Sequence, residues 1–355
     1  MSSRAIRVGI VGCGRIWPKH LAVIERIEGL ELVAICERAP ERLVLAGEKC
    51  SAARYSDYRE MLDNEELDLV SILTESGSHA EIGIEAAPHV SSLVIEKPLA
   101  LTLESTDALI ETCDAHQTRL FVVKQNRYNP PVVRLREALD AGRFGKLVLG
   151  TVRVRWCRHQ SYYDQDVWRG TWRHDGGVFA NQASHHIDLL QWMMGPVESV
   201  QAYSATRLVD IETEDTGVAI LRFTSGALGI IEATTATRPT DLEGSHSILG
   251  ELGSVEIGGF AVNELRSWNF VDSRPEDDDV FESSVYPPNV YGFGHQAFYE
   301  DVAECILTGK HSMLDGLAGR RTLELINAIY ESAATGGEVR LHYKPRNVRL
   351  GREER

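Results

Sequence analysis

Apolar runs of three to eight residues, separated by segments with helical spacing, fill roughly the first 120 positions of the chain. Residues 7–11, 30–36, 67–74, 93–95 and 120–124 read as strands. Residues 19–27, 40–49, 80–87 and 103–116 carry apolar positions at helical intervals. Strands and helices that alternate with short connections predict a parallel, doubly wound sheet with helices on both faces.

The pattern changes after Pro130-Pro131. A helix is expected up to Ala141, and longer strands with little helix between them follow. Residues 148–157 alternate strictly, with Val152, Val154 and Trp156 on one face and Arg153 and Arg155 on the other. Residues 216–223 and 227–234 flank a Ser225-Gly226 turn, and residues 245–249 and 254–257 form a second hairpin pattern. Helical spacing returns at 296–307 and 317–332, and Glu276 to Asp279 reads as a solvated acidic loop. The expected organisation is a first domain at 1–124, a second at 125–345 and a tail at 346–355. The fold class is α/β, with a doubly wound parallel sheet followed by an α+β domain built on a large open, mostly antiparallel sheet.

Composition narrows the partners. The formal net charge of −15, with no basic arm, argues against a nucleic-acid partner. The same charge repels an anionic substrate at long range, so such a substrate would require a local group of arginines. Six scattered cysteines without a CxxC pair fit reduced thiols in a cytoplasm. No segment approaches membrane-spanning length, and the apolar run at 8–13 is too short and glycine-rich for a signal peptide.

Gly12 and Gly14 lie where the first strand turns into the first helix, followed by Arg15, Ile16 and Trp17. Glycines there let backbone N–H groups approach a pyrophosphate at a helix N-terminus, the arrangement of a Rossmann dinucleotide site. Trp17 stands in place of the third glycine of the fingerprint. Glu37 ends the second strand, where a carboxylate binds ribose hydroxyls and opposes a 2′-phosphate. NAD is therefore expected over NADP, although Arg38 next door could partly reverse that preference.

Two further segments carry candidate chemistry. Glu96-Lys97-Pro98 puts an ammonium at the end of a strand, with the proline holding Lys97 extended. The glycine-led stretch from Asp175 to Asp188 is expected to become helical and to set Asn181, His185 and Asp188 on one face. A lysine and a histidine near a nicotinamide suit alcohol oxidation: one takes the hydroxyl proton and the other holds the oxygen. Histidine is the better base by its ordinary pKa, but a lysine with depressed pKa could exchange roles with it. An aspartate at 181 would pair with His185, and asparagine removes that charge. Asp188 reads as a positioning acceptor. No third ligand spacing accompanies His185 and Asp188, so no metal is expected. Arg155, Arg158 and Arg169, with Tyr162, Tyr163 and Trp168 among them, form a candidate anion site; Arg127 and Arg238 are further candidates.

These motifs together resemble the glucose-fructose oxidoreductase/inositol dehydrogenase/rhizopine-catabolism (Gfo/Idh/MocA) family over nearly the whole chain. The resemblance rests on the glycine turn, Ser76-Gly77-Ser78-His79, Glu96-Lys97-Pro98 and the Gly-Gly…His-x-x-Asp segment. The middle of the chain is similar to the branch that oxidises the 3-hydroxyl of UDP-N-acetylglucosaminuronate during bacterial surface-polysaccharide synthesis. The matching stretches are Val123-Lys124-Gln125-Asn126-Arg127, Tyr162-Tyr163-Asp164-Gln165, Trp168-Arg169-Gly170-Thr171-Trp172, Asn181-Gln182-Ala183-Ser184-His185, Leu242-Glu243-Gly244-Ser245 and Tyr291-Gly292-Phe293-Gly294-His295. Asn181 agrees with this branch where the wider family has aspartate, and Glu75 stands where the family often has proline. The resemblance implies NAD as cofactor, with Thr74, Ser76, His79, Glu96, Lys97, Gln125 and Trp168 joining Gly12, Gly14, Arg15, Ile16, Glu37 and Arg38 around it. It implies a nucleotide-sugar substrate at Lys97, Asn126, Arg155, Arg158, Tyr162, Tyr163, Arg169, Asn181, His185 and Arg238, and a homotetramer. Other readings are a dehydrogenase of a free sugar or inositol, a catalytically silent sugar sensor, and redox-assisted glycoside hydrolysis with retained NAD.

Overall fold

The computed structural model describes residues 4–287, 289–290, 292–342 and 344–352. Tyr291 of the Tyr-Gly-Phe-Gly-His motif and the last three residues of the expected tail lie outside them. In chain order the first elements are β1 (Ile6–Val11), α1 (Trp17–Ile24), β2 (Leu30–Cys36), α2 (Pro40–Gly47), β3 (Ala53–Tyr55), α3 (Tyr58–Asn64) and β4 (Leu69–Ile72). Next come α4 (His79–Ala86), β5 (Ser92–Ile95), α5 (Leu103–His116), β6 (Arg119–Val122), α6 (Pro130–Asp140), β7 (Leu147–Arg155), α7 (Gln160–Tyr163) and α8 (Ser184–Met194). The remainder is β8 (Val197–Ala205), β9 (Thr216–Phe223), β10 (Leu228–Thr234), β11 (Glu243–Gly250), β12 (Gly253–Gly258), β13 (Glu264–Phe270), α9 (His295–Thr308), α10 (Gly316–Thr335) and β14 (Val339–Arg340).

The chain divides into two compact units: residues 1–124 with 295–321, and residues 125–294 with 322–355. The organisation expected from sequence put everything from 125 to 345 in one domain. Instead α9 and the first turn of α10 return to the first unit. The residue just before α10, Asp315, forms a backbone bridge to Phe121 of β6. Residues 346–352 are not a loose tail either, because Val348 and Leu350 are buried.

The first unit holds a six-stranded parallel sheet in the order β3-β2-β1-β4-β5-β6. The order reverses direction between β1 and β4, the switch point at which such sheets bind ligands. Val8, Ile10, Leu69, Ile72, Leu93 and Ile95 are fully buried. Each contributes about 1.5–3 kcal/mol relative to exposure. Helix α1 begins two residues earlier than its periodicity predicts, since Pro18 fits the first turn, where no N–H is needed. The strand expected over 67–74 narrows to four residues. Elements β3 and α3 were not expected: one is three residues long and the other polar. Asp57, whose carboxylate accepts the Arg59 N–H at 2.9 Å, was the available helix-start signal.

The second unit is built on an eight-stranded sheet, β13-β12-β11-β7-β10-β9-β8-β14, antiparallel except between β7 and β10. Helix α8 packs on its inner face so closely that a Cβ on Gly150 would meet Leu190 and Met194 at 2.7 Å. The acidic loop is not purely solvated. Asp277 receives both Arg143 NH groups at 2.6 Å and the Trp268 indole N–H at 2.6 Å. The Arg143 guanidinium holds its carboxyl well below the usual range.

Candidate active site

In the first unit, the turn after β1 is shaped by Gly12. Its φ of +100° suits glycine, and a Cβ there would meet the Leu73 carbonyl carbon at 2.8 Å. A Cβ on Gly14 would meet nothing within 4 Å, so the chain opens beside this glycine. Trp17, in place of the third glycine, is buried. Glu37 is anchored from both sides: Oε2 accepts the Cys13 N–H and Oε1 the Ala39 N–H, each at 2.9 Å. Each carboxylate oxygen has a second lone-pair direction, so a fixed Glu37 can still accept ribose hydroxyls. Arg38 lies 3.2 Å from the Glu75 carboxylate, which engages the cation that would otherwise favour a 2′-phosphate. The open glycine turn at the N-terminus of α1, followed by an anchored acidic residue, fits NAD. Arg15 is exposed beside this turn, and Ile16 is half-buried.

The predicted cofactor residues after β4 have more structural duties. Thr74 Oγ1 accepts from Ser78 Oγ at 2.8 Å, and Ser76 is buried. His79 is buried with its ring nitrogens 2.8 Å from the Pro98 carbonyl and 3.1 Å from the Thr74 carbonyl. Burial pushes its pKa down despite those two contacts. His79 thus braces the loop before α4 against the segment that follows Lys97, and its nitrogens are used in doing so. Glu96 accepts the Lys97 backbone N–H at 3.0 Å and faces His20 at 2.9 Å. Lys97 is half-buried and joined to Pro98 by a cis peptide.

In the second unit the glycine-led stretch does not run into one regular helix. Val178–Gln182 forms a π-helical turn, and α8 starts only at Ser184. The expected common face is therefore replaced by separate anchors. The Asn181 amide donates to Asp175, and its oxygen accepts from Gln182 at 3.3 Å. His185 Nε2 lies 3.1 Å from Gln125 Nε2. Asp188 takes Arg127 through two 2.8 Å bonds and the Thr322 hydroxyl at 2.8 Å. Arg127 is consequently a buried structural cation and not an anion-binding group. Beneath the turn, Glu214 accepts the Phe179 N–H at 3.0 Å and the Tyr330 hydroxyl at 2.9 Å. Burial pushes the Glu214 carboxyl up to about 7.

The arginines are sorted by the strand register. Arg155 lies opposite Glu243 and next to Glu232; it bonds Glu232 at 2.6 and 2.8 Å and Glu243 at 3.1 Å. Its fork is filled by carboxylates of neighbouring strands, which removes it from the expected substrate set. Tyr163 is buried with its hydroxyl 3.0 Å from Thr235, and burial pushes the phenol up to about 12. Arg238 turns back onto the carbonyls of Thr235, Thr237 and Arg158.

Arg158 and Arg169 come together with Tyr162 and Gln182. Arg169 donates to the Tyr162 hydroxyl at 2.8 Å, Gln182 donates to the same oxygen at 3.0 Å, and Arg158 donates to the Gln182 oxygen at 3.2 Å. Arg169 also stacks over Trp168, 4.5 Å from the ring centroid. Each arginine carries an aspartate, Asp241 for Arg158 and Asp166 for Arg169, so the group offers directed N–H donors more than excess positive charge. Asn126 Oδ1 and Gln125 Oε1 are buried and accept no hydrogen bond among the described residues, as expected where a ligand supplies donors. Asp175, Gln182, Glu214 and His20 were missed from sequence. Asp175 and Gln182 sat within recognised motifs, whereas nothing local distinguished His20 or Glu214.

The oxidoreductase family's NAD-binding Rossmann fold matches residues 6–124, and its C-terminal alpha/beta domain matches residues 136–341. The WlbA dehydrogenase of Bordetella pertussis, solved with NADH and UDP-GlcNAcA, is 44% identical with a TM-score of 0.93, covering 97% of this chain and 100% of that one. The WlbA dehydrogenase of Chromobacterium violaceum, solved with the same two ligands, is 40% identical with a TM-score of 0.92, covering 97% and 98%. The myo-inositol 2-dehydrogenase of Thermotoga maritima is 31% identical over 234 residues, 64% of this chain and 68% of its own. The chain belongs to the Gfo/Idh/MocA family of NAD-dependent oxidoreductases.

Proposed function

We propose that this protein oxidises the 3-hydroxyl of UDP-N-acetylglucosaminuronate with NAD+, giving the 3-keto nucleotide sugar. The observation that carries this reading is the likeness, at 44% and 40% identity over 97% of the chain, to two dehydrogenases solved with NADH and UDP-GlcNAcA. The Arg158–Gln182–Tyr162–Arg169 network supports it, since directed donors beside aromatic rings suit a charged nucleotide sugar. NAD+ supplies the hydride acceptor, and Gly12, Gly14, Glu37 and Thr74 are proposed to hold it.

His185 and Lys97 are the proposed catalytic residues. Gln125 puts a neutral amide, not a carboxylate, 3.1 Å from His185 Nε2, so this neighbour does not favour the imidazolium over the neutral ring that a base requires. In this assignment His185 removes the hydroxyl proton and the Lys97 ammonium stabilises the negative oxygen that develops. Asn181 is held by Asp175 in a fixed orientation, and it is proposed to position the sugar hydroxyl by hydrogen bonding.

Assembly is a further part of the proposal. Tyr203, Val218, Ile220, Leu228 and Ile230 are exposed on adjacent strands of the large sheet. An apolar face of that kind is expected to be covered by another copy, in keeping with a tetramer; light scattering of Ile220→Asp should show dissociation. A cytoplasmic place in polysaccharide-precursor synthesis follows from the substrate, and the six cysteines are unpaired thiols.

Free inositol is the second reading, favoured by the Thermotoga relative. Arg158→Glu with Arg169→Glu separates the two. The double variant should raise KM for the nucleotide sugar at least tenfold while leaving KM for NAD+ within about twofold. Equal effects on both substrates would remove the assignment.

A further inference from the structure

A buried chain of polar side chains in the first unit ends at the backbone of Lys97. Ser71 Oγ of β4 lies 3.0 Å from the Tyr299 hydroxyl of α9, and that hydroxyl lies 2.7 Å from His20 Nδ1 of α1. His20 Nε2 lies 2.9 Å from Glu96 Oε1, and Glu96 Oε2 accepts the Lys97 N–H at 3.0 Å. Ser71, Tyr299 and His20 are all fully buried. A polar chain drawn from three distant parts of the sequence is costly in a core unless every member is satisfied.

Two proton arrangements satisfy every member of this chain with Glu96 ionised. With neutral His20, Ser71 donates to Tyr299, Tyr299 donates to Nδ1, and Nε2–H donates to Glu96. With charged His20, the first two donations reverse and the third is unchanged. In both cases Glu96 is an ionised acceptor, receiving His20 on one oxygen and the Lys97 amide on the other.

We propose that His20 is a positioning residue: its Nε2–H keeps Glu96 ionised and aimed at Lys97, and so holds the Lys97 side chain as an oriented ammonium. The proposal rests on the reading above that Lys97 stabilises the oxygen during oxidation. Burial alone would raise the Glu96 carboxyl. The His20 hydrogen bond is the largest effect opposing burial, the Lys97 charge adds to it, and the carboxyl lies at about 2. An ionised carboxylate beside an ammonium stabilises that ammonium in return.

The other titratable neighbours do not take this part. His79 of α4 is turned to carbonyls, and Tyr299 acts on the far side of His20. His295 meets His20 edge to face at 5.3 Å, and burial pushes it down to about 3. His20 and Lys19 contribute to that lowering and Glu96 opposes it. His20, Glu96 and His295 have donor atoms within 4.8 Å of one another, a spacing a divalent ion could use. In the proposed role the His20–Glu96 contact is a hydrogen bond instead.

The test reads Lys97 itself. The pH dependence of Lys97 amine acylation, followed by mass spectrometry, is compared in wild type, His20→Phe and His20→Gln, alongside kcat and thermal midpoint. Loss of the Nε2 donor lets Glu96 take a proton, so His20→Phe should label Lys97 about tenfold faster at a fixed neutral pH. Its kcat should fall by a similar factor, and His20→Gln, which keeps a donor, should recover most of both. If His20→Phe does not fold, Tyr299→Phe should give a smaller shift in the same direction. Labelling that is unchanged in the folded variants overturns the proposal, as does stoichiometric zinc retained by dialysed wild type. Shifted labelling in a protein that does not oxidise the nucleotide sugar would sustain this inference and defeat the proposed function.

Discussion

His185 Nε2 and Gln125 Nε2 are 3.1 Å apart within the second unit. The amide is neutral, so it brings no negative charge to favour the imidazolium. Gln125→Glu places a carboxylate there, which favours the imidazolium. The acid limb of the kcat/KM profile should move to higher pH by about one unit, and Gln125→Leu should not reproduce the shift. An unmoved limb in Gln125→Glu would show that His185 is not the group that titrates.

Arg38 and Glu75 provide a second handle, on cofactor choice. Glu75→Gln releases Arg38 from its partner and should increase kcat/KM with NADP relative to NAD. Exposed ion pairs contribute under about 1 kcal/mol, so the gain should stay below about fivefold. Glu37 still opposes the 2′-phosphate. Adding Arg38→Ala should cancel the gain, and a gain that survives would assign it elsewhere.

Much of the fold was legible because long-period signals dominate it. The parallel sheet, the glycine turn and both hairpins follow from apolar alternation and turn residues. Of the elements that were missed, β3, β14, α3 and α7 are short and β13 is polar, whereas β8 is nine residues long and was not read as a strand. The site was less legible. Asn181, His185 and Asp188 have helical spacing, but a π-turn gives them different partners. Arg127, Arg155 and Tyr163 looked like ligand groups until Asp188, Glu232 and Thr235 supplied their contacts. Such pairings join residues 61, 77 and 72 positions apart, which no local pattern encodes.

Glu214 should govern stability above neutral pH. Burial raises its carboxyl to about 7, against an ordinary value of 4.5. The native state therefore holds this proton more tightly than the unfolded chain. The resulting contribution is fully present below pH 4.5 and is lost as pH rises through about 7. Glu214→Gln imitates the protonated side chain, so its Tm at pH 8 should exceed wild type by about two degrees. A lower Tm at pH 8 would mean that the ionised carboxylate is the stabilising form.

His186 and His246 act in the opposite direction. Burial pushes them down to about 4 and about 3 from 6.5, and none of their four ring nitrogens has a hydrogen-bond partner among the described residues. The unfolded chain takes up these protons first, so stability falls as pH drops below about 6.5 and continues to fall toward pH 3. His246→Phe should flatten the Tm-versus-pH curve between about pH 6.5 and 4. A curve as steep as wild type would assign acid lability to other groups.

Hydride transfer from a nucleotide sugar, with Lys97 and His185 as the proposed proton-handling pair, can be read in one mixing experiment. Its most direct measurement is NADH absorbance and UDP release on mixing wild type, Lys97→Met and His185→Asn with NAD+ and either UDP-N-acetylglucosaminuronate or myo-inositol. The account predicts NADH from the nucleotide sugar with wild type alone, no UDP release, and little signal with inositol. NADH formed from inositol in preference, or undiminished rates in both variants, would contradict it.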